Sequence, residues 1–455
     1  MQGAQRVEDN HALEYAVQRA NEHGLPPLVL FCLTDGYPEA NRRHYRFMLE
    51  GLQDVAAGLS ARGIEFLCLS GDPVELVVEL AHRAAMVVTE RAYLQVPKSW
   101  REQVAARISC SLLSVDTNLI VPVHIASRKR EYAARTLRPR LREHFAQYCR
   151  PVPRHEPQQA PAAVKLARGL EPVDLRHIDT VLDRLRIDRT PSEVTPYFRG
   201  GEQEAERRLR IFLNRTFFSY AGFRNEPRKQ AVSAMSPYLH FGHVSPLRLA
   251  LEVLQVTRTD ASAPRQLTLE DAIGGERGPD DGLRENKRAF LEELCVRREL
   301  AHNYVEYEPH YDRYSALPEW TRQTLTSHAG DVRPAIYDLQ TLEAAATDDD
   351  YWNAAMTEMV KTGFMHNYMR MYWGKRILTW TTDPEQAYEI ILALNNKYFL
   401  DGRDPNSYAN VGWIFGLHDR PWPERAVFGT VRTMSAAGLE RKCDISGYVR
   451  WVDQL

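Results

Sequence analysis

The sequence predicts a two-part chain, an α/β domain at the amino terminus and a large all-α domain after it. Three observations carry this expectation. Up to about residue 120, short apolar runs alternate with amphipathic helical stretches, the pattern of a Rossmann-like, doubly wound parallel sheet. A Pro/Ala/Gln-rich stretch, "RPVPRHEPQQAPAAV", then reads as a surface linker. From about residue 190 the apolar residues recur almost wholly at helical spacing. The expected divisions are 1–150, a linker over 151–190, and a helical domain over 191–455.

The first domain can be read element by element. "PLVLFCLT" (27–34) is a buried strand, and "NRRHYRFMLEGLQDVAAGLSARG" an amphipathic helix closed by Gly63, where glycine takes the left-handed conformation after a helix end. "IEFLCLSG" is a second strand and "MVVTE" a third. The helix between them carries Pro73 in its first turn, where a missing N–H costs nothing. A helix around Trp100–Ile108 precedes "CSLLSVDTNLIVPVHIAS". The helix "VEDNHALEYAVQRANEHG" should follow a first strand, yet only Met1–Arg6 stand before it. The sheet therefore lacks its first strand, or the true start lies upstream; the upstream start is the preferred reading.

Residues 128–154 are arginine-rich and helical. The second half predicts helices over 201–219, 245–256, 285–304, 351–380 and 384–396, with a polar loop over 257–282 expected to be mobile. No internal repeat is present. Six scattered cysteines (32, 68, 110, 149, 295, 443) form no CxxC pair and no zinc-like spacing, which points to reduced thiols in a cytosolic protein and to no metal site. No apolar run approaches a membrane span, and the polar start is no signal peptide. The net charge of −2 means that any nucleic-acid surface must be a local patch.

The most specific stretch is "YWNAAMTEMVKTGFMHNYMRMYWGKRILTW", followed by "LNNKYFLDGRDPNSY". Trp373 and Trp380 are two helical turns apart, on one face and about 10.5 Å apart along the axis. Trp352 opens this helical region or sits on a preceding helix folded back beside it. Taken singly, each indole is most simply a core residue; as a row, three indoles could pass an electron. Arg370 lies on the same helix among apolar neighbours, and a buried guanidinium requires a carboxylate partner. In "SAMSPYLHFG", Ser233 and Ser236 stand just before a helix, a seat for a phosphate or a plain N-cap ahead of Pro237. Glu293 in "LEEL" taken alone is an ordinary solvated helix glutamate.

These segments resemble the photolyase/cryptochrome flavoproteins, most closely the class II cyclobutane pyrimidine dimer photolyases. The likeness runs from "QRVEDNHALEYA" through "SAMSPYLHFGHVSPLR", "FLEELCVRRELAHN" and "LDGRDPN" to "HDRPWPERAVFGTVR". It implies light-driven DNA repair, in which an electron from FAD bound in the helical domain splits a pyrimidine dimer flipped out of UV-damaged DNA. By resemblance, Trp352, Trp373 and Trp380 are the electron path, with Trp373 nearest the flavin. Arg370 pairs with Asp401 beside the ring, and Asn395 lies near flavin N5, with Asn396 as the neighbouring alternative. Ser233, Met235 and Ser236 belong to the FAD phosphate loop, and Arg248 lines the flavin and substrate region. Glu293 is the glutamate on the base edge of the dimer; Trp413 and Met371 contact the dimer; Arg420 and Arg432 hold DNA phosphates, with Arg425, Arg441 and Lys442 completing a basic rim.

Departures from the family pattern are visible too. Val232 replaces a hydroxyl residue, Arg297 stands where several photolyases have a stacking tryptophan, Ser407 replaces a glycine, and "VGWIFGLHDR" is one residue short. A second antenna chromophore of deazaflavin or folate type is an open expectation, as are a monomeric state and a cytoplasmic or nucleoid location. The rival readings are a cryptochrome-like photosensor and a 6-4 photoproduct photolyase. The latter would draw on a histidine pair such as His240 and His366.

Overall fold

A computed structural model describes residues 1–161, 164–257 and 281–455; the polar loop expected over 257–282 falls almost wholly outside these. The amino-terminal half holds α1 (His11–Glu22), β1 (Leu28–Leu33), α2 (Arg42–Ala61), β2 (Glu65–Ser70), α3 (Pro73–Ala81), β3 (Met86–Glu90), α4 (Gln95–Arg107) and β4 (Ser111–Val115). Each strand falls on an apolar run identified in the sequence. Asn10 caps α1 by accepting from the Leu13 N–H, and Asp72 caps α3 just ahead of Pro73, as short polar side chains do before a helix.

The sheet is divided, in keeping with the expectation that its first strand is missing. All pairings are parallel, but they form two separate pairs, β1 with β2 and β3 with β4. No strand among the described residues joins β1 to β3. Between them lies a cavity of about 840 Å³, walled by β1 residues 28–32 and β3 residues 86–90. The doubly wound sheet is thus interrupted where its first strand would stand.

The described residues of 151–177 are mostly exposed and are tied to the α/β half: His155 N–H donates to Glu14, Gln158 N–H to the Asn21 side chain and Val173 N–H to the Cys68 carbonyl oxygen. The arginine-rich helix Ala134–Tyr148 turns Leu137, Leu141 and Phe145 into a core shared with Phe212, Phe290 and Leu294 of the helical half, although it falls within the first 150 residues.

Three expected helices are interrupted; that over 201–219 runs as Glu202–Ile211, a widened turn over Phe212–Thr216 and a tight one over Phe217–Ser219. The 351–380 region is a helical pair, Asp350–Thr362 and Asn367–Trp380. Gly363 ends the first at φ +73°, a conformation that costs glycine little, and a Cβ there would press within 2.9 Å of the Leu400 side chain. The 285–304 region runs as Asp281–Leu291, a wide turn over Glu292–Arg297 with i to i+5 bonding, then Arg298–Tyr307. Such widened turns re-aim side chains within a helix and are frequent at functional sites. Among the described residues no helix is long and apolar enough to cross a membrane, and no cluster of potential ligands could hold a metal.

Candidate active site

The break at Gly363 folds the first helix back against the second, and this brings the three tryptophans together. Trp352, Trp373 and Trp380 are 0, 2 and 1% exposed. Trp352 sits between the other two: its ring centroid is 5.3 Å from that of Trp380 at 78°, an edge-to-face arrangement, and its Nε1 donates to the Trp373 carbonyl oxygen at 2.9 Å. Seven-residue spacing alone leaves a gap between Trp373 and Trp380, and the indole of the neighbouring helix fills it. Asp349 fixes this junction. It caps the first helix through the Trp352 N–H, accepts from the Tyr372 hydroxyl at 2.5 Å and pairs with Arg376 at 2.8 Å.

Beyond Trp373 the row reaches Phe399, with centroids 6.2 Å apart, and Phe399 lies under the Arg370 guanidinium, 4.0 Å from its centroid. Arg370 donates both terminal nitrogens to Asp401, at 3.1 and 3.0 Å, and its Nε to the Met365 carbonyl oxygen. The pairing expected from the sequence is present in its two-pronged form, the strong geometry for a guanidinium. Beyond Trp380 the row reaches Tyr337, whose ring centroid is 5.0 Å away. The sequence reading missed both Phe399 and Tyr337, since neither is distinguishable from core aromatics without the fold.

Asn395 and Asn396 divide their tasks. Asn396 is consumed by structure: its amide donates to Glu39 and its oxygen accepts from the Arg403 N–H and from the Asn395 amide. Asn395 spends an amide hydrogen on Asn396 and lies one turn before Phe399. Gly402 lets the loop close over this helix end, for a Cβ there would lie 2.8 Å from the Asn395 carbonyl oxygen. Ser407, where a glycine was expected, donates its hydroxyl to the Asp401 carbonyl oxygen and so steadies the loop. Asp404 accepts from the Asn406 N–H, capping Pro405–Ile414, and faces His240 at 3.3 Å. That histidine, with the His302 and Arg298 charges, outweighs burial and holds the Asp404 carboxyl well below its ordinary range.

Ser233, Met235 and Ser236 form the entry to the short helix Ser236–His240. Met235 is buried at the cap position and no side chain caps the helix, so the plain N-cap reading does not describe it. Arg248 is not brought to this cluster. Its side chain is 47% exposed and pairs with Glu252 at 2.9 Å and Asp9 at 3.8 Å.

Glu293 lies on the widened turn with its side chain 41% exposed, paired with Arg224 at 2.7 Å. On the same turn Arg297 pairs with Glu292 at 3.3 Å and lies 5.4 Å over the Trp413 ring. The arginine at the departure point and the expected dimer-contacting tryptophan are thus one stacked unit. Met371 packs at the edge of the tryptophan core. Arg420 and Arg432 converge on Trp422, 5.7 and 4.9 Å from its centroid. Arg420, Arg425, Arg432, Arg441 and Lys442 are all exposed, and among the described residues none makes an ion pair. Trp422, which organises this rim, lies in "DRPWPER" and was not singled out in the sequence.

Behind Arg370 lies a buried acid. Glu358 accepts from the Tyr448 hydroxyl at 2.5 Å and from the His366 N–H at 3.4 Å, and burial pushes its carboxyl up to about 7. A carboxyl raised above its unfolded value of about 4.3 holds its proton in the folded state while the unfolded state loses it. Its contribution is complete below pH 4 and is lost as pH rises towards 7. Glu358→Gln is expected to flatten the decline in stability between pH 5 and 7, read as the midpoint of urea unfolding at each pH. An unchanged slope would show that Glu358 is charged throughout.

The DNA photolyase family model matches residues 1–161. A deoxyribodipyrimidine photo-lyase from Methanothermobacter thermautotrophicus is 42% identical over 450 residues, covering 99% of this chain and 92% of its own. One from Potorous tridactylus is 37% identical, covering 98% of this chain and 79% of its own. Among solved structures, a class III photolyase from Agrobacterium tumefaciens superposes with a TM-score of 0.72 at 18% identity, covering 99% of this chain and 85% of that one. With these extents of identity on both sides of the linker, the chain belongs to the DNA photolyase family.

Proposed function

We propose that this chain, a light-driven repair enzyme for pyrimidine dimers in DNA, works through the residues assembled above. It holds FAD against Arg370, Asp401, Asn395 and the Ser233–Ser236 loop, and receives a flipped-out cyclobutane pyrimidine dimer against Glu293, Met371 and Trp413. The observation that carries this reading is the buried row Trp380, Trp352, Trp373 leading to Phe399 beneath the Arg370–Asp401 pair. The donor set fits a flavin: a fixed cation beside a carboxylate, a buried amide, and a Trp373 Nε1 with no hydrogen-bond partner among the described residues, an unmet donor that a polar ring edge would satisfy. FAD held by these residues would supply the light-driven one-electron chemistry that opens the dimer.

The chain's own residues do the rest. Arg370 would set a fixed positive charge beside a flavin that becomes negative, at no reorganisation cost. The indoles pass electrons inward from the Trp380 end. Arg420 and Arg432, over the Trp422 ring and without acidic partners among the described residues, grip phosphates without reading sequence, as repair at any site demands. Glu293 exchanges Arg224 for the edge of the dimer and hydrogen-bonds the base there as charge develops. Glu293→Gln is expected to retain much of the repair yield per photon, while Glu293→Ala loses it several-fold with dimer binding little changed. Equal yields in all three proteins would remove Glu293 from the site.

The decisive experiment is an absorption spectrum of the purified protein followed by blue-light repair of an oligonucleotide carrying one thymine dimer. A bound flavin and restored thymines are expected. Flavin that photoreduces while dimers stay intact would instead support the cryptochrome-like reading. The same spectrum reports any deazaflavin- or folate-type antenna, and light scattering tests the expected monomer.

A further inference from the structure

The arginine-rich helix Ala134–Tyr148 reaches the widened turn Glu292–Arg297 through one side chain. Arg138 donates its Nε and a terminal nitrogen to the two carboxylate oxygens of Glu292, at 3.0 and 2.7 Å. This two-pronged geometry fixes a carboxylate as well as neutralising it. Arg297 shares the same carboxylate, with its Nε 3.3 Å from Glu292. Two cations meet one anion here, so a net positive charge is left on the turn.

Arg297 carries that charge into the open. With its Nε turned to Glu292, its terminal nitrogens form no hydrogen bond among the described residues. The guanidinium lies 5.4 Å over the Trp413 ring, within the range of a cation–π contact, and the side chain keeps 37% of its exposure. It is held from behind and from one face, and free at its edge. Glu293, on the same turn, is already balanced by Arg224 at 2.7 Å, so it does not cancel the surplus charge. A stacked guanidinium offers a flat face together with a fixed charge and free N–H groups; an indole in its place would offer the face without the charge.

We propose that Arg297 acts on the bound dimer as a charge stabiliser, its free guanidinium edge favouring the dimer most while the dimer carries an extra electron. The inference rests on the dimer being received against Glu293 and Trp413, as proposed above. The dimer takes one electron from the bound flavin, the two carbon–carbon bonds joining its bases open, and the electron returns to the flavin. Negative charge therefore sits on the bases only between the first event and the last. A cation held in place by Glu292 and Arg138 stabilises that interval more than the neutral ground state. Such a difference is what speeds a step rather than tightening binding. A neutral aromatic side chain at 297 would stack on the dimer but hold its charged and uncharged forms nearly alike.

Light separates the two kinds of recognition, because binding is measured in the dark and splitting is not. The full-length protein loaded with FAD is compared with Arg297→Gln and Arg297→Trp, on an oligonucleotide carrying one thymine dimer. Dark affinity is read across a salt series, and repair yield per absorbed photon is read at saturating DNA. Both variants are expected to lose yield by about threefold or more, while Arg297→Trp keeps or raises dark affinity and neither changes its salt slope. A slope reduced by about one in Arg297→Gln would assign Arg297 to a phosphate and overturn the proposal. Equal yields in all three proteins would also overturn it while leaving the repair reading intact. Wild-type protein that binds flavin and dimer yet leaves the dimer whole under blue light would remove the repair reading, and this inference with it.

Discussion

Asp401→Asn is expected to purify with little flavin and to unfold at markedly lower urea concentration. The substitution is nearly isosteric, so the loss would be electrostatic. Asp401 takes both terminal nitrogens of Arg370, and the pair is largely buried, the side chains keeping 19 and 9% of their exposure. Removing one partner of a buried pair strands the other charge, which costs roughly 3–5 kcal/mol. Because some of Arg370 remains in water, about 2–4 kcal/mol is the expected loss here. Flavin loss should exceed what stability alone explains, since Arg370 freed from Asp401 no longer stays planar over Phe399 beside the ring. Asp401→Glu separates the two effects by retaining charge and altering reach. If Asp401→Asn keeps a full flavin complement and wild-type unfolding, the pair is peripheral to cofactor binding.

How much of this was legible in the sequence depends on the range of the interaction. Strands and helices appeared where apolar period and helix-end residues placed them, because those signals are local: Gly63 and Pro73 act on their own helices. That Arg370 needs an acidic partner was legible because a cation in an apolar stretch demands one; that the partner is Asp401 came from the family resemblance. The order of the tryptophans was not, since it depends on a fold-back at Gly363 that sets Trp352 between two rings of another helix. Phe399, Tyr337 and Trp422 escaped for the same reason, as their roles are set by neighbours distant in sequence. Arg248 shows the converse. Its motif suggested a place by the flavin, while the fold gives it Asp9, some 240 positions earlier in the chain, and Glu252.

Trp373→Phe should nearly abolish photoreduction of oxidised FAD while leaving repair by chemically reduced enzyme close to wild type. The argument rests on where the ring sits. Trp373 is the indole next to Phe399 and the Arg370–Asp401 pair, and its backbone oxygen holds Trp352 in place. Phenylalanine keeps that backbone contact and most of the packing, but benzene is far harder to oxidise than indole, so the path is cut at its inner end. The trimmed volume costs about 1–3 kcal/mol of stability, which a folded enzyme tolerates and an unfolding curve reports. Trp380→Phe, at the outer end, should slow photoreduction less severely, because Trp352 remains in reach of the inner ring. Trp352→Phe should resemble Trp373→Phe, since it separates Trp380 from Trp373 and also removes the Nε1 donor. The order of the three defects is therefore the sharper observable. Equal loss of repair and photoreduction in Trp373→Phe would make the ring structural; equal photoreduction in all three variants would mean that electrons reach the flavin by a route outside this row.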